Sequence, residues 1–191
     1  MSSTLEQLKA RLERDLSEHL SGKYLMFDTC VMSKLSSVGD GEKSITAEIF
    51  SFANRINCIP GVSEYIQVEF LRSHQNYQKF IEAQKFLDKF AKKRLGENDV
   101  PNFYENMITI DRINQKHDLK GASFVDLTSA VFLQHWPNSL FFVTANIKDF
   151  LCGRLFDIIS VIPVISGHTT NLLGVIKANK DGFIEERGKL G

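Results

Sequence analysis

The 191-residue sequence is poor in cysteine and proline, has no long apolar run and carries no excess of either charge. Its three cysteines, Cys30, Cys58 and Cys152, are widely spaced and form no CxxC pair, so we expect free thiols rather than a disulfide framework or a zinc site. Lysines and arginines total 23, as do aspartates and glutamates, so a polyanion would have to bind through a local basic patch.

Targeting and membrane-spanning signals are also lacking. Residues 1–6 contain no basic segment followed by an apolar run, so we expect no secretory signal. The most apolar stretch, residues 155–165, is interrupted by Asp157 and Pro163 and is too short to cross a bilayer. These absences and the free thiols predict a cytoplasmic protein that does not associate with membranes.

Alternating strand-like and helical segments predict an α/β fold that is rich in helix. Short apolar runs predict strands at residues 24–27, 56–59, 140–144 and 156–164. Helical patterns lie between them, at residues 31–36, 44–57, 63–72, 77–95, 104–117 and 124–136. Ser63 and Ser123 are predicted N-caps, Pro60-Gly61 is expected to end the second strand, and Gly96 is expected to end the helix at residues 77–95. Helices that connect parallel strands imply right-handed crossovers, and therefore three layers with helices on both faces of a short, mainly parallel sheet.

Both ends of the chain extend beyond this alternating region, which spans residues 23–165 and is expected to form one domain. Residues 1–22 predict an extra amphipathic helix, begun by a Ser3 and Glu6 capping box. Its apolar stripe, which packs on its own domain or on a partner, consists of Leu5, Leu8, Leu12, Leu16 and Leu20. Residues 166–191 are rich in glycine and lysine and are assigned to a C-terminal tail.

Polar and acidic residues follow two of the predicted strands directly. Asp28 comes after the strand at residues 24–27, and Asn146 and Asp149 follow the strand at residues 140–144. The carboxyl ends of parallel strands meet at one edge of a sheet, and open α/β sheets bind their ligands there. The sequence therefore predicts a single site at this edge.

Two further carboxylates, Glu69 and Asp126, lie on predicted helices and are flanked by apolar residues. A carboxylate in apolar surroundings needs a partner, and only Arg72 lies close to either of them along its helix. Two carboxylates about 4 Å apart repel by roughly 4 kcal/mol at an effective dielectric constant near 20, so a cluster requires a cation. Oxygen ligands alone favour a hard divalent ion, Mg²⁺ or Mn²⁺.

The acids lie in four short blocks of sequence. These are Phe27-Asp28-Thr29, Val68-Glu69-Phe70-Leu71, Asp126-Leu127 with Ala130, and Val143-Thr144 with Asn146, Asp149 and Phe150. In this order and at these intervals, and with Val62-Ser63 preceding the second block, the blocks resemble the signature motifs of PIN-domain nucleases. The resemblance is greatest to the single-domain VapC-like toxins of type II toxin–antitoxin systems, and it covers about residues 23–165.

The resemblance implies a PIN-like α/β/α fold and a metal-dependent endoribonuclease that hydrolyses RNA phosphodiester bonds with Mg²⁺ or Mn²⁺. It assigns Asp28, Glu69, Asp126 and Asp149 as catalytic, metal-binding acids and Asn146 as a further catalytic residue. Whether Asn146 or Asp149 occupies the fourth corner of the site, and whether one or two ions bind, stays open.

The same resemblance implies that Thr29 and Thr144 orient the acids or a bound water. It also implies an antitoxin protein as a partner, besides the RNA substrate, and a homodimer. The competing expectation is a catalytically inactive PIN-like domain that serves as an RNA-binding or assembly module. The lysines of residues 77–95 are interpreted as a solvated face or, alternatively, as a rim that contacts RNA phosphates beside the acids.

Overall fold

A computed structural model describes residues 14, 16–36, 53–74, 76–119, 121–166 and 169–190, with backbone alone at 34–36, 163–166 and 169–171. The strands are β1 (Tyr24–Phe27), β2 (Ile59–Ser63), β3 (Lys93–Leu95), β4 (Leu140–Thr144), β5 (Phe156–Ser166) and β6 (Thr169–Ala178). The helices are α1 (Thr29–Ser36), α2 (Glu64–Arg72), α3 (Tyr77–Phe90), α4 (Phe103–Lys116), α5 (Phe124–His135) and α6 (Lys180–Gly188). Short 3-10 turns lie at Glu97–Asp99 and Ile147–Asp149.

The described strands form one six-stranded sheet in the order β3-β2-β1-β4-β6-β5. The first four strands of this order are parallel to one another, whereas β6 is antiparallel to both β4 and β5. The chain runs outward from β1 through β2 to β3 and then returns to β4 on the other side of β1. The predicted α/β class with a mainly parallel sheet is confirmed.

The reversal of strand order determines where the helices go. Right-handed crossovers place the helices between β1 and β3 on one face of the sheet and those between β3 and β4 on the other. This placement is compatible with three α/β/α layers. The same reversal makes the gap between β1 and β4 a topological switch point, at the edge where both strands end.

Two segments differ from their sequence-based predictions. The predicted strand at residues 56–59 instead begins at Ile59 and runs through Pro60 and Gly61, which were expected to end it. Proline is tolerated because its missing N–H faces only the short edge strand β3, where the Pro60 carbonyl accepts a bond from Lys92 N at 2.9 Å. The predicted helix at residues 77–95 ends at Phe90.

Residues 93–95 form β3 instead of the last helical turn, because pairing with β2 satisfies their backbone groups. Ala91 leaves the helix with an extended backbone, at φ −76° and ψ 107°. Local helix propensity extends to Leu95 in the sequence, but a tertiary contact overrides it. Gly96 therefore follows a strand rather than ending a helix.

The residues assigned to a C-terminal tail contain two regular elements. The strand β6 lies inside the sheet, between β4 and β5, and pairs Val143 with Val175 and Ile158 with Ile176. Helix α6 follows it and contacts α4. Part of the segment that was predicted to be a tail therefore belongs to the central sheet.

The core lies around the central strands and is rich in aromatic side chains. Its largest fully buried members include Phe27, Phe70, Phe132, Phe142 and Phe156. The buried side chains of Leu16 and Leu20 belong to the same core, so this end of the leucine stripe packs on its own domain. Leu5, Leu8 and Leu12, and most of the predicted helix at residues 44–57, lie outside the described residues.

Within the described ranges, every helix is too short or too polar to cross a lipid bilayer.

Candidate active site

A hydrogen bond joins the ends of β1 and β4 at the switch point. Thr144 Oγ1 donates to Asp28 Oδ2 at 2.5 Å, and Asn146 N donates to Thr144 Oγ1 at 2.9 Å. The ladder between the two strands continues one residue further, because Asp28 N donates to Val143 O at 3.0 Å. Asp28 is only 5% exposed, so its carboxylate is held in place by the sheet itself.

Burial raises the pKa of the Asp28 carboxyl, and the negative charge of Asp126 raises it further. Hydrogen bonds from Thr144 and Cys30 act in the opposite direction, because they stabilise the ionised form. The carboxylate is therefore desolvated, and its charge is only partly compensated by neutral donors. A nearby cation would complete that compensation.

Cys30 is a second donor to Asp28, and the sequence did not predict it. Its Sγ lies 3.1 Å from Asp28 Oδ2. Burial raises the pKa of the Cys30 thiol to about 12, and the charge of Asp28 contributes to the rise. The thiol therefore keeps its proton at neutral pH and donates it. The sequence shows that Cys30 lies two residues after Asp28. It does not show that the first turn of α1 brings the Cys30 side chain to the Asp28 carboxylate.

Glu69 is connected to the residue that follows Asp28. Ser63 begins α2 as its N-cap, with Ser63 Oγ accepting a bond from Ile66 N at 3.1 Å, as predicted. This start places Glu69 in the second turn of α2, half-buried, where Thr29 Oγ1 donates to Glu69 Oε2. The bond brings the end of β1 and the middle of α2 together at the same edge of the sheet.

Asp126 has a structural role in addition to any catalytic one. Asp126 Oδ2 accepts a bond from Ser123 N at 2.8 Å, and Ser123 Oγ accepts one from Asp126 N at 3.1 Å. This reciprocal pair is a capping box at the start of α5. The predicted N-cap at Ser123 is confirmed, but the capping role of Asp126 was missed, although the Ser-x-x-Asp spacing signals it.

Asp149 ends the 3-10 turn that follows β4. Burial raises the pKa of its carboxyl and the charge of Asp126 raises it further, while Lys148 lowers it. The field of Asp126 thus acts on both Asp28 and Asp149. The side chain of Asn146 is exposed, whereas its backbone N–H supports Thr144.

The predicted acids share one edge of the sheet but do not converge on one point. Across the described ranges, no three side chains of His, Cys, Asp or Glu are spaced to enclose a metal ion. Glu69 and Asp126 are instead bonded to Thr29 and Ser123.

The donor chemistry nevertheless fits a hard cation. The four acids offer only oxygen ligands. Burial first, and repulsion from Asp126 in addition, raise the pKa of Asp28 and of Asp149, and a nearby cation would lower both again. Magnesium retains several of its waters, so few direct protein ligands are needed. Ser129, one turn after Asp126, adds a fully buried hydroxyl that has no hydrogen-bond partner in the described part of the chain.

Comparison of the chain with known protein families, characterised proteins and solved structures finds no match.

Proposed function

We propose that this protein is a Mg²⁺- or Mn²⁺-dependent endoribonuclease with a PIN-like fold, acting in the cytoplasm. The observation that carries the proposal is the pair of side-chain bonds Thr144–Asp28 and Thr29–Glu69, which brings acids of the first two sequence blocks to the switch point. The charge of Asp126 also acts on Asp28 there. The strand order supports the PIN-like assignment, since it sets the first and fourth blocks side by side.

The four acids Asp28, Glu69, Asp126 and Asp149 would hold the ion. When bound, such an ion lowers the pKa of a coordinated water and neutralises charge on the phosphate oxygens. The remaining work falls to this chain's own residues. Thr144 and Cys30 fix the Asp28 carboxylate, Thr29 fixes Glu69, and the burial of Asp28 keeps bulk water away from that side of the site.

Asn146 and Asp149 would complete the site from the β4 side. Asp149 is half-buried and within range of the charge of Asp126, which favours it as the fourth acid. Asn146 is exposed, which suits a contact to substrate rather than to the ion. We therefore propose separate roles for Asp149 and Asn146, the two alternatives that the sequence left open.

The test is cleavage of a labelled RNA by the purified protein with Mg²⁺ or Mn²⁺, and again after chelation of the metal. We expect Asp28→Asn to lose more than about 100-fold in rate, beyond the usual effect of changing a supporting residue. Asp181→Asn, which changes an exposed aspartate on α6, is the matched control and should cleave like the parent. A parent that cuts no RNA, or an Asp28→Asn protein that cuts equally well, rejects the proposal.

The second candidate function is a catalytically inactive PIN-like module that binds RNA or an assembly partner. One observation favours it: Asp126 Oδ2 already has a structural role, because it accepts the capping-box bond from Ser123 N at 2.8 Å. Titration calorimetry with Mg²⁺ and Mn²⁺ separates the two candidates. Binding that is lost in Asp28→Asn supports the nuclease, whereas no binding to the parent supports the inactive module.

We also propose that the nuclease is the toxin of a toxin–antitoxin pair and forms a homodimer. The partner would be a small DNA-binding antitoxin encoded by a neighbouring reading frame. Growth arrest on expression, relieved by Asp28→Asn and by co-expression of that neighbour, is the expected result. Harmless expression of an active nuclease would reject the toxin role and leave the nuclease proposal intact.

A further inference from the structure

Four aromatic side chains from three helices meet beside the acids. Tyr65 of α2 stacks on Phe103 of α4, with ring centroids 5.8 Å apart and an interplanar angle of 15°. The ring of Phe124, the first residue of α5, contacts Tyr65 edge-on at 5.3 Å. Tyr104 contacts Phe103 edge-on at 5.5 Å. We call Tyr65, Phe103, Tyr104 and Phe124 the aromatic platform.

The aromatic platform is anchored in the core through one ring, and two of its other rings are about half exposed to solvent. Phe103 is buried and packs against the core residue Phe132, with ring centroids 5.3 Å apart. Phe124 is 50% exposed and Tyr104 is 52% exposed. An aromatic ring that is fixed on one side and open on the other can accept a second flat ring at little cost in conformational entropy.

Both tyrosine hydroxyls are directed to one carboxylate. Tyr65 OH donates to Glu97 Oε2 at 2.9 Å, and Tyr104 OH donates to the same oxygen. These bonds hold the two rings in a fixed orientation. They also place a negative charge at the border of the aromatic platform, which disfavours phosphate at that position and leaves the ring faces for an uncharged group.

The aromatic platform adjoins the proposed active site through two of its helices. Tyr65 lies four residues before Glu69 on α2, so the two side chains share a helix face about 6 Å apart along the axis. Phe124 begins α5, and its ring centroid lies 5.3 Å from that of Tyr65, which shares its helix face with Glu69. A group attached to a phosphate at the acids can therefore reach the ring of Phe124.

We propose that Phe124, supported by Tyr65, is the stacking surface for one unpaired base of the RNA, next to the phosphate that is cleaved. This inference rests on the proposed function for the identity of the substrate. The contact requires the base at that position to be unpaired, since the bases of a duplex are already stacked and are not open to an external ring.

A nucleic-acid base fits this position better than a protein partner. The Glu97 carboxylate accepts bonds from both tyrosines of the aromatic platform, and stable protein interfaces are depleted of charge at their centres. The four side chains of the aromatic platform carry no cation, so they suit the uncharged face of a base rather than the RNA backbone.

The test is the affinity of a fluorescent single-stranded RNA for the Asp28→Asn protein, followed by anisotropy with Mg²⁺ present. In that background, Phe124→Ala should weaken binding about 5- to 150-fold, the range found when a stacking ring is removed. Phe124→Leu, which keeps an apolar side chain but no ring, should also weaken it, and Phe124→Trp should restore it. Ile184→Ala on α6, where the parent residue is 58% exposed, is the matched control and should bind like the parent.

A second measurement locates the base. Each nucleotide of the RNA is replaced in turn by an abasic one. In the protein that keeps Phe124, binding should weaken when the abasic site falls at one particular position. In Phe124→Ala, the abasic site at that same position should have little further effect. Such non-additivity is expected when the ring and the base contact each other. Additive losses at every position would overturn the proposal.

Three further results would overturn it. Phe124→Ala could bind RNA as tightly as the parent surface. A duplex could bind as tightly as the single strand. Phe124→Ala could instead change only the oligomeric state measured by light scattering, which would make this face a protein interface.

The failure of this inference can be told apart from the failure of the nuclease proposal. RNA binding that depends on the Phe124 ring, without any cleavage, would support the aromatic platform and reject the nuclease. Unchanged cleavage and binding in Phe124→Ala would reject only the aromatic platform.

Discussion

Thr144 Oγ1 donates a 2.5 Å hydrogen bond to Asp28 Oδ2 across the gap between β1 and β4, and so joins residues that are 116 positions apart. Both residues are buried, at 0% and 5% exposure. The bond therefore compensates part of the cost of placing a carboxylate at a desolvated strand end. It also ties the first and last acidic blocks of the sequence to one another.

The first prediction concerns this bond. Thr144→Val keeps the shape of the side chain but removes the donor, so the Asp28 carboxylate loses one of the groups that lower its pKa. We expect the pKa of Asp28 to rise above its value in the parent, and the free energy of unfolding at pH 7 to fall by about 1–3 kcal/mol. Carbon-13 NMR of the carboxyl groups in metal-free protein and urea denaturation measure the two effects.

Thr144→Ser is the control, because it retains the hydroxyl and should restore most of both quantities. If Asp28 titrates at the same pH in Thr144→Val as in the parent, the bond does not stabilise the ionised carboxylate and its role at the site is refuted. In the nuclease assay, a positioning residue of this kind is expected to cost about 10- to 100-fold in rate when it is changed.

The second prediction uses two glycines of α6. A Cβ at Gly182 would lie 1.9 Å from the carbonyl oxygen of Arg154, which is backbone and cannot move aside. Gly182→Ala should therefore displace α6 and lower the free energy of unfolding by about 1–3 kcal/mol. Gly188 is the last residue of the same helix, and a Cβ there would have no described atom within 4 Å. Gly188→Ala should leave stability unchanged or raise it by up to about 1 kcal/mol.

Urea denaturation of the two variants, compared by midpoint at constant slope, checks the difference. Because both are Gly→Ala changes in one helix, their effects on the unfolded chain are similar and cancel in the comparison. Equal midpoints for Gly182→Ala and Gly188→Ala would show that α6 does not pack on the Arg154 turn as described.

The third prediction is a dependence of stability on acid pH. Glu186 of α6 is buried, and its carboxylate contacts His117 Nε2 at 2.6 Å, Lys189 Nζ at 2.9 Å and Arg154 Nη1 at 3.1 Å. Hydrogen bonds from His117 and then from Lys189 are the main reasons why the pKa of Glu186 falls from 4.5 to about 2. These contacts connect the end of α4 and the Arg154 turn to α6.

A carboxyl whose pKa is lower in the folded than in the unfolded state stabilises the fold above the unfolded pKa. That stabilisation is lost as the pH falls through the folded pKa. The contribution of Glu186 should therefore be complete above about pH 4.5 and disappear towards pH 2. Glu186→Gln should be less stable than the parent at pH 7, and the difference should shrink over that window.

Thermal unfolding of both proteins between pH 7 and pH 2 measures this change. Glu185→Gln is the matched control, because the exposed Glu185 also contacts Lys189 Nζ, at 2.6 Å, and surface ion pairs contribute little. A constant difference between Glu186→Gln and the parent at every pH would contradict the prediction.

Local patterns in the sequence predicted those features that depend on neighbouring residues. The N-caps at Ser63 and Ser123 were readable because a cap bonds to a backbone group three residues later in the chain. The strands β1 and β4 were readable from short apolar runs that end in polar residues. From where these two strands end, the sequence predicted that Asp28 and Asp149 lie at one edge of the sheet.

Features that depend on distant partners were not predictable in this way. Residues 93–95 form a strand only because β2 offers a free edge, and β6 is part of the sheet only because β4 and β5 enclose it. The Thr29–Glu69 bond likewise depends on how α2 packs against the start of α1. No local periodicity contains this information, since it arises from contacts between segments far apart in the chain.

By itself, the sequence determined the α/β class and the parallel centre of the sheet, and it predicted a set of acids at the sheet edge. It could do so because side-chain periodicity and capping act over a few residues. Only the tertiary structure decided which group each acid contacts: Thr144 and Cys30 for Asp28, Thr29 for Glu69 and Ser123 for Asp126. The physical reason is that a buried carboxylate takes the donors that packing brings to it, and packing is a property of the whole fold.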